Sequence, residues 1–415
     1  MNRVVVTGLG CITPIGNTVA EFRESLFTGR SGIAELDPAF PGALSPDPGL
    51  KFHTLARVAG FRAADDLASG VLTVAGRGAQ FGIVAARQAA AESGLLNHHA
   101  PGEVAIVTGC SCGGRDADED ATRHLYVRNA RVPPTVILRT MANSGSSNIA
   151  IDLGIGGPVF NLATACASGT HALGMAFHMV RSGMVPAAIA GGYEAPLTFA
   201  FLRAWDSMRV VSPTRCRPFS ADRDGMTLGE GAAMLVLEVL DAALARKAPI
   251  YAEVVGFGMS ADAHHITQPH AEGAASAMRR ALDDAATSGV ESTAGRVGYI
   301  NAHGTGTLTN DAVEATAIHL ALGEHAPRIP VSGTKSLHGH SIGAVGAIEA
   351  LATVLALDAA LLPPTAHINA VDPALNLDVI TGAPRAMDPA KDLALSNSLA
   401  FGGLNAVVAL RRFTA

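Results

Sequence analysis

The stretch 158-PVFNLATACASGTHALGMAFHMVRSG-183 runs from an extended apolar segment, through one cysteine, into a helix crowded with Ala and Gly. Strand, turn and small-residue helix in that order predict a β–α unit whose helix packs closely against other elements. Cys166 falls at the first turn of the predicted helix, where free N–H groups and the macrodipole favour negative charge, so a stabilised thiolate is expected there. Such a cysteine is a candidate nucleophile, and the same amides are candidate donors to an oxyanion if it attacks a carbonyl carbon. The competing reading is a buried, inert cysteine filling space.

Outward from this stretch the pattern recurs. The segment 334-TKSLHGHSIGAVGAIEA-350 also runs through Thr and a small-residue turn into a Gly/Ala helix. Each copy is followed by a Gly-rich loop and an apolar strand, 228-LGEGAAMLVLEVL-240 and 401-FGGLNAVVALRRF-413. The interval from Cys166 to Gly229 agrees within one position with that from His340 to Gly402. This predicts a duplicated chain, residues 1–250 and 251–415, with its halves meeting near residue 250. Strand-like runs (NRVVVTGLG, EVAIVTG, AAIAGGYE, YAEVVGFG, VGYINAHG, IPVSGTKS) alternate with helix-like runs such as 79-AQFGIVAARQAAAES-93 and 274-AASAMRRALDDAATSG-289, which defines an α/β protein. The most linker-like segment, 40-FPGALSPDPGL-50, comes too early to divide two domains.

Composition narrows the function. With 48% hydrophobic residues, 5% aromatic and 45 glycines in 415 residues, the chain is globular and built for close approach of helices and strands. A net charge of −6 argues against a basic field for nucleic acid. Five cysteines, an odd count in a long chain, do not make a disulfide framework, and a reducing cytoplasmic setting is expected. Met1 leads straight into a strand-like run, so no export signal is expected, and 348-IEALATVLALDAALL-362 reads as too short and too polar to cross a membrane.

Two histidines lie in Gly-rich loops after apolar strands, His303 in 297-VGYINAHGTGTLTND-311 and His340 in the repeat above. Alone, each is more often structural than catalytic. Neither has metal-ligand spacing, Cys110 and Cys112 give only a lone C-x-C, and no metal is expected. VTGLGCITPIG lacks G-x-G-x-x-G spacing and reads as a turn after a strand. An ion pair between Lys335 and Glu314 is expected to hold the two histidine loops together.

In that order and spacing, ACASGTHA, NAHGTGTLTND, GTKSLHGHSIGAVGAIEA and SLAFGGLNA resemble the β-ketoacyl-acyl-carrier-protein synthases of the elongating kind, similar to ketosynthase II. The likeness begins at VVVTGLGCITPIGN, includes RPFSADRDGMTLGEGA and covers essentially the whole chain. It implies a thiolase-like fold, a duplicated five-layer αβαβα arrangement. It further implies an acyltransferase that condenses malonyl carrier protein with an acyl group held on Cys166, with loss of CO2. His303 and His340 would stabilise the enolate, and the backbone N–H groups of Cys166 and Phe401 the tetrahedral oxyanion. Phe401 would gate the pocket, while Thr305, Thr307 and Thr267, the last in the histidine-rich 262-DAHHITQPHAEG-273, would touch pantetheine. Lys335 and Glu314 are implied as organising charges; Glu349 and Asn405 match family positions without an assigned role. No cofactor is implied beyond the phosphopantetheine arm of acyl carrier protein. The implied assembly is a dimer, with a second copy or a chain-length-factor-like subunit, whose pocket is reached by 136-VILRTMANSGSSNIAI-151 through Met141.

A cysteine-dependent thioester hydrolase is the rival of a different class, but it would leave Lys335 and the His340 loop unused. A non-catalytic chain-length subunit would lack Cys166. The chain departs from the family pattern at 109-GCSCGGRD-116, where Cys112, followed by Arg115, occupies a pocket-lining position and its small side chain predicts room for an unusual acyl chain. Arg77, Arg203 and Arg209 are the candidate docking charges for an acidic carrier protein. Primary fatty-acid elongation and a specialised polyene or polyketide pathway both remain open.

Overall fold

The computed structural model describes residues 1–37, 49–290 and 294–414, so the linker-like segment 40–50 lies almost wholly outside the described residues. Ten strands form the body of one sheet: β1 (Val4–Ile12), β2 (Val104–Gly109), β3 (Val159–Leu162), β4 (Ala187–Glu194), β5 (Gly231–Val239), β6 (Ala252–Ala261), β7 (Val297–Asn301), β8 (Pro330–Ser332), β9 (Leu393–Ala400) and β10 (Leu404–Arg412). From the centre outward the first half runs β1-β5-β4-β2-β3 and the second β6-β10-β9-β7-β8, to which Asp378–Val379 adds a short edge. In each half the first two pairings are antiparallel and the next two parallel. Every strand of the first half therefore has its counterpart five places on, and the halves join where β1 pairs antiparallel with β6, Val4 opposite Val254.

Four helices complete the layers: α1 (Arg77–Ser93), α2 (Ser168–Ser182), α3 (Ala271–Thr287) and α4 (Val345–Ala359). Helix α1 covers β1 and β5 on one outer face, and α3 covers β6 and β10 on the other. Between them α2 and α4 pack on each other and against strands of both halves, which gives the expected αβαβα order. Leu173, Phe177 and Val180 of α2 share one buried core with Ile348, Leu351 and Leu355 of α4. The outer helices approach their strands through glycine: a Cβ on Gly10 would lie 2.0 Å from Ala85 O, and one on Gly258 2.0 Å from Ala277 O. The same device serves both halves, and an alanine at either place would push helix from sheet.

Two expectations change. The 18 residues Ile342–Ala359 have a mean hydropathy of 1.7 and are long and apolar enough to cross a membrane, against the reading from sequence; 89% of the segment is buried, which makes it the core helix of the central layer. The repeat register also shifts. Helices α2 and α4 are each entered through a 3-10 turn whose first residue has a left-handed φ of 49°, Ala165 and Ile342. The counterpart of Cys166 is thus Gly343, not His340, which stands three residues earlier in a loop without equivalent in the first half.

Candidate active site

The turn Ala165–Ala167 presents Cys166 at the entry to α2, and the two histidine loops leave the ends of β7 and β8 to meet it. One ligand-type atom each from Cys166, His303 and His340 lies within 4.8 Å of the other two, and all three residues are buried. The two imidazoles meet edge to face, centroids 5.5 Å apart. A cavity of about 240 Å³ opens onto them, lined also by Thr305, Thr307, Thr267, Trp205 and Phe401. Cys166, both histidines, the three threonines and Phe401 thus share one cavity.

Hydrogen bonds fix the protons. Lys335 Nζ is 3.1 Å from His303 Nδ1, 2.6 Å from Glu349 Oε1 and also bonded to His303 O. An ammonium has no acceptor, so His303 Nδ1 accepts and its proton sits on Nε2. The Ile342 N–H donates to His340 Nδ1 at 3.1 Å, which sets the same tautomer there. Burial first, then the Lys335 charge, then the other histidine hold His303 well below the ordinary imidazole value. His340 is held down by burial, by Lys335 and by His338. Both rings are neutral donors at Nε2.

The expected Lys335–Glu314 pair does not form. Lys335 pairs with Glu349, which reaches it from α4. Glu314 instead accepts the backbone N–H groups of His303 at 2.7 Å and Gly304 at 2.8 Å, with Asn397 Nδ2 at 3.2 Å. Two carboxylates therefore divide the work: one holds the lysine, the other the loop backbone.

The Cys166 thiol is pushed up to about 11, against the expectation of a stabilised thiolate. Burial outweighs the opposing pull of Lys335 and of the backbone N–H groups of Phe401 and Cys166 itself. Those two amides face the sulfur, where an oxyanion on a carbon attached to it would lie. Phe401 stacks on Trp205, the only tryptophan in the sequence, with centroids 5.7 Å apart and planes at 17°. Its loop continues through Gly402 and Gly403, both at positive φ, and the Gly402 N–H bonds to Ile266 O at 2.8 Å. Asn405 Nδ2 holds Asp262 Oδ1 at 2.7 Å, tying that loop to the histidine-rich one.

Other predicted residues lie elsewhere. Cys112 does not line this cavity; it packs behind it against a cluster of Phe52, Leu55, Leu202, Met226 and Ile342. Met141 is 44% exposed and away from the cavity. Arg77 pairs with Glu230 at 2.8 Å and lies over the Phe81 ring, its side chain one-third exposed. Arg203 bonds to Gly49 O, and Arg209 is exposed at the end of the helix Phe199–Met208. Sequence reasoning missed Glu194, buried at the end of β4, which accepts from the Ser111, Cys112 and Gly343 N–H groups and so pins the GCSC turn to the entry of α4. It also missed His338, buried and bonded to Gly339 O at 2.9 Å and Thr334 Oγ1 at 3.1 Å. An acid closing an apolar strand, AAIAGGYE, was the available signal for the first.

Family models for the N-terminal and C-terminal domains of β-ketoacyl synthase match residues 1–243 and 251–369. The chain is 41% identical to 3-oxoacyl-[acyl-carrier-protein] synthase 2 of Synechocystis over 99% of its own length and 98% of the relative's. It is 38% identical to nodulation protein E of Rhizobium meliloti, covering 99% of both chains. Among solved structures, the ishigamide ketosynthase/chain length factor superposes with a TM-score of 0.92 at 34% identity over 100% of both chains. The chain belongs to the β-ketoacyl synthase family, with the thiolase-like fold, and is an acyltransferase of the elongating type that forms carbon–carbon bonds.

Proposed function

We propose that Cys166 carries the growing acyl chain as a thioester and that His303 and His340 activate the malonyl thioester that extends it. In the first step Cys166 Sγ displaces the pantetheine thiol of an acyl carrier protein, and the cysteine's proton ends on the departing thiol. Malonyl carrier protein then enters along Thr305, Thr307 and Thr267. Two Nε2–H groups donate to its thioester oxygen, CO2 leaves, and the enolate is held by neutral donors that do not give up their protons. The enolate carbon attacks the acyl carbonyl, whose oxygen gathers charge at the Phe401 and Cys166 N–H groups; the carbonyl re-forms as the sulfur of Cys166 leaves as a thiolate, which takes a proton from water to restore the thiol. Phe401 gates the mouth, and Lys335, Glu349 and Glu314 position the histidine loops.

The observation that carries this reading is the convergence of Cys166, His303 and His340, one thiol and one ring nitrogen of each imidazole within 4.8 Å, beside two backbone donors at the same sulfur. The chain is read as two halves, residues 1–250 bringing the nucleophile and 251–415 the two histidines. No cofactor is required beyond the carrier's pantetheine. Five free cysteines among the described residues fit a cytoplasmic setting. A two-chain assembly, with a second copy or a chain-length-factor-like subunit, is supported by the half-exposed edge strand β3 and by exposed Ile137, Met141 and Ile151.

The test is intact-mass measurement after mixing with acyl carrier proteins of graded length and unsaturation. Wild type should gain one acyl group and Cys166→Ala none; loading that persists in the variant refutes the assignment. The small Cys112 behind the cavity predicts that long or polyunsaturated primers load best, and a preference for short saturated ones removes the specialised-pathway reading.

A further inference from the structure

Cys, His and His are also zinc-binding side chains, and here one atom from each lies within 4.8 Å of the others. A metal-bound imidazole coordinates through an unprotonated nitrogen and almost always donates its other N–H to a carboxylate, carbonyl or water. In this site the polarity is reversed. The second nitrogens face donors: Lys335 Nζ at 3.1 Å from His303 Nδ1, and the Ile342 N–H at 3.1 Å from His340 Nδ1. The other lysine hydrogens are committed to Glu349 Oε1 and His303 O, which aims the third at the ring.

We propose that Lys335 and the Ile342 N–H form a tautomer lock that denies the Cys166-His303-His340 cluster to transition-metal ions while leaving it intact as a pair of hydrogen-bond donors. Capture of a divalent ion would require Cys166 to lose its proton and each imidazole to move its proton from Nε2 to Nδ1. At Nδ1 each proton would then point at another N–H. The Lys335 ammonium also places a positive charge beside the space an ion would fill. The inference does not depend on which acyl chain the site accepts. Lys335 is in this sense a positioning residue whose effect reaches beyond the orientation of one ring.

Two measurements on the full chain test it. In protein labelled with 15N in its histidines, nitrogen shifts should show both His303 and His340 protonated at Nε2, assigned through His303→Gln and His340→Gln. An Nδ1–H form of either ring in the wild type overturns the proposal. Cadmium titration, read by the ultraviolet thiolate-to-cadmium band, should give no Cys166-dependent signal in wild type. Lys335→Met should gain one, with binding tighter by roughly 10–100-fold, the scale on which partners of metal-ligating histidines act. Cys166→Ser in the same background should abolish it. Equal cadmium affinity in wild type and Lys335→Met refutes the lock; if Lys335→Met does not fold, the tautomers of the wild-type rings decide.

Discussion

The turns that open α2 and α4 have the same backbone and opposite uses. Ala165 and Ile342 share a left-handed φ of 49°, and each is followed by the middle residue of the 3-10 turn that leads into the central helix. In the first half that residue is Cys166, whose side chain lines the cavity. In the second it is Gly343, where an ideal Cβ would lie 2.6 Å from Glu194 Oε2 and 2.7 Å from Ser111 Oγ. One turn is open to substrate, the other sealed by a carboxylate that also takes its N–H at 3.2 Å. The second half supplies donors instead, from loops ahead of its sealed turn. Duplication gave two equivalent places for a nucleophile, and close packing leaves room at only one.

The division of labour can be broken chemically. Cys166→Ala leaves both imidazole donors in place, so it should lose acyl transfer yet still release CO2 from malonyl carrier protein. His303→Ala should retain acyl transfer while condensation falls by about 10²–10³-fold, the scale for losing one preorganised oxyanion donor. Parallel CO2 and acyl-enzyme assays decide it; loss of both activities in Cys166→Ala would mean the halves act only together. A smaller effect is expected at the sealed turn. Gly343→Ala should cost about 1–3 kcal/mol of stability, the range for overpacking, read as a lower melting temperature. Cys166→Ala at the matching position should shift melting less, and the reverse ranking would contradict the open-and-sealed contrast.

The smallest effect concerns pH. Burial holds His338 down to about 3 against an ordinary 6.5, and His303 and His340 are also held well below it. A lowered folded value means that this contribution to stability is complete above pH 6.5 and is lost as pH falls toward the folded value. The slope approaches about 1.4 kcal/mol per pH unit for each histidine. Buried carboxylates such as Glu314, raised chiefly by burial, act in the opposite sense, so the comparison must be between variants. Urea unfolding at pH 7.5 and 5.5 should show His338→Gln losing less stability on acidification than wild type; identical losses would remove His338 from the account.

How much of this was legible in the sequence depended on whether chemistry or packing wrote it. Apolar runs announced nine of the sheet strands, and Cys166, His303 and His340 stood out by residue type and flanking glycine. Strand β9, LALSNSLA, was missed because Ser396, Asn397 and Ser398 interrupt the apolar pattern while being fully buried. Part of their polarity is met from afar: Asn397 Nδ2 donates to Glu314, and Ser398 Oγ lies 2.7 Å from Thr170 Oγ1 on α2, while Ser396 Oγ and Asn397 Oδ1 find no partner among the described residues. The Lys335 partner was misassigned for a related reason. Glu314 and Glu349 are both carboxylates near histidine loops in sequence, and only the direction in which α4 leaves its turn brings Glu349 onto the lysine. The thiol was misjudged because a helix N-terminus is visible in a sequence and the depth of burial is not.

Helix α4 carries one more consequence, for the chain while it is being made. Ile342–Ala359 would pass for a membrane span on length and composition, and it emerges from the ribosome late, after the whole first half. Until the central layer closes, it is, among the described residues, the segment most prone to enter a bilayer or a neighbouring chain. Glu349 lies near its midpoint, and an acidic side chain at the centre of a would-be span opposes insertion by roughly 2.5–3.5 kcal/mol. The carboxylate that orients Lys335 in the finished enzyme thereby also marks the nascent helix as one that belongs in protein rather than in lipid.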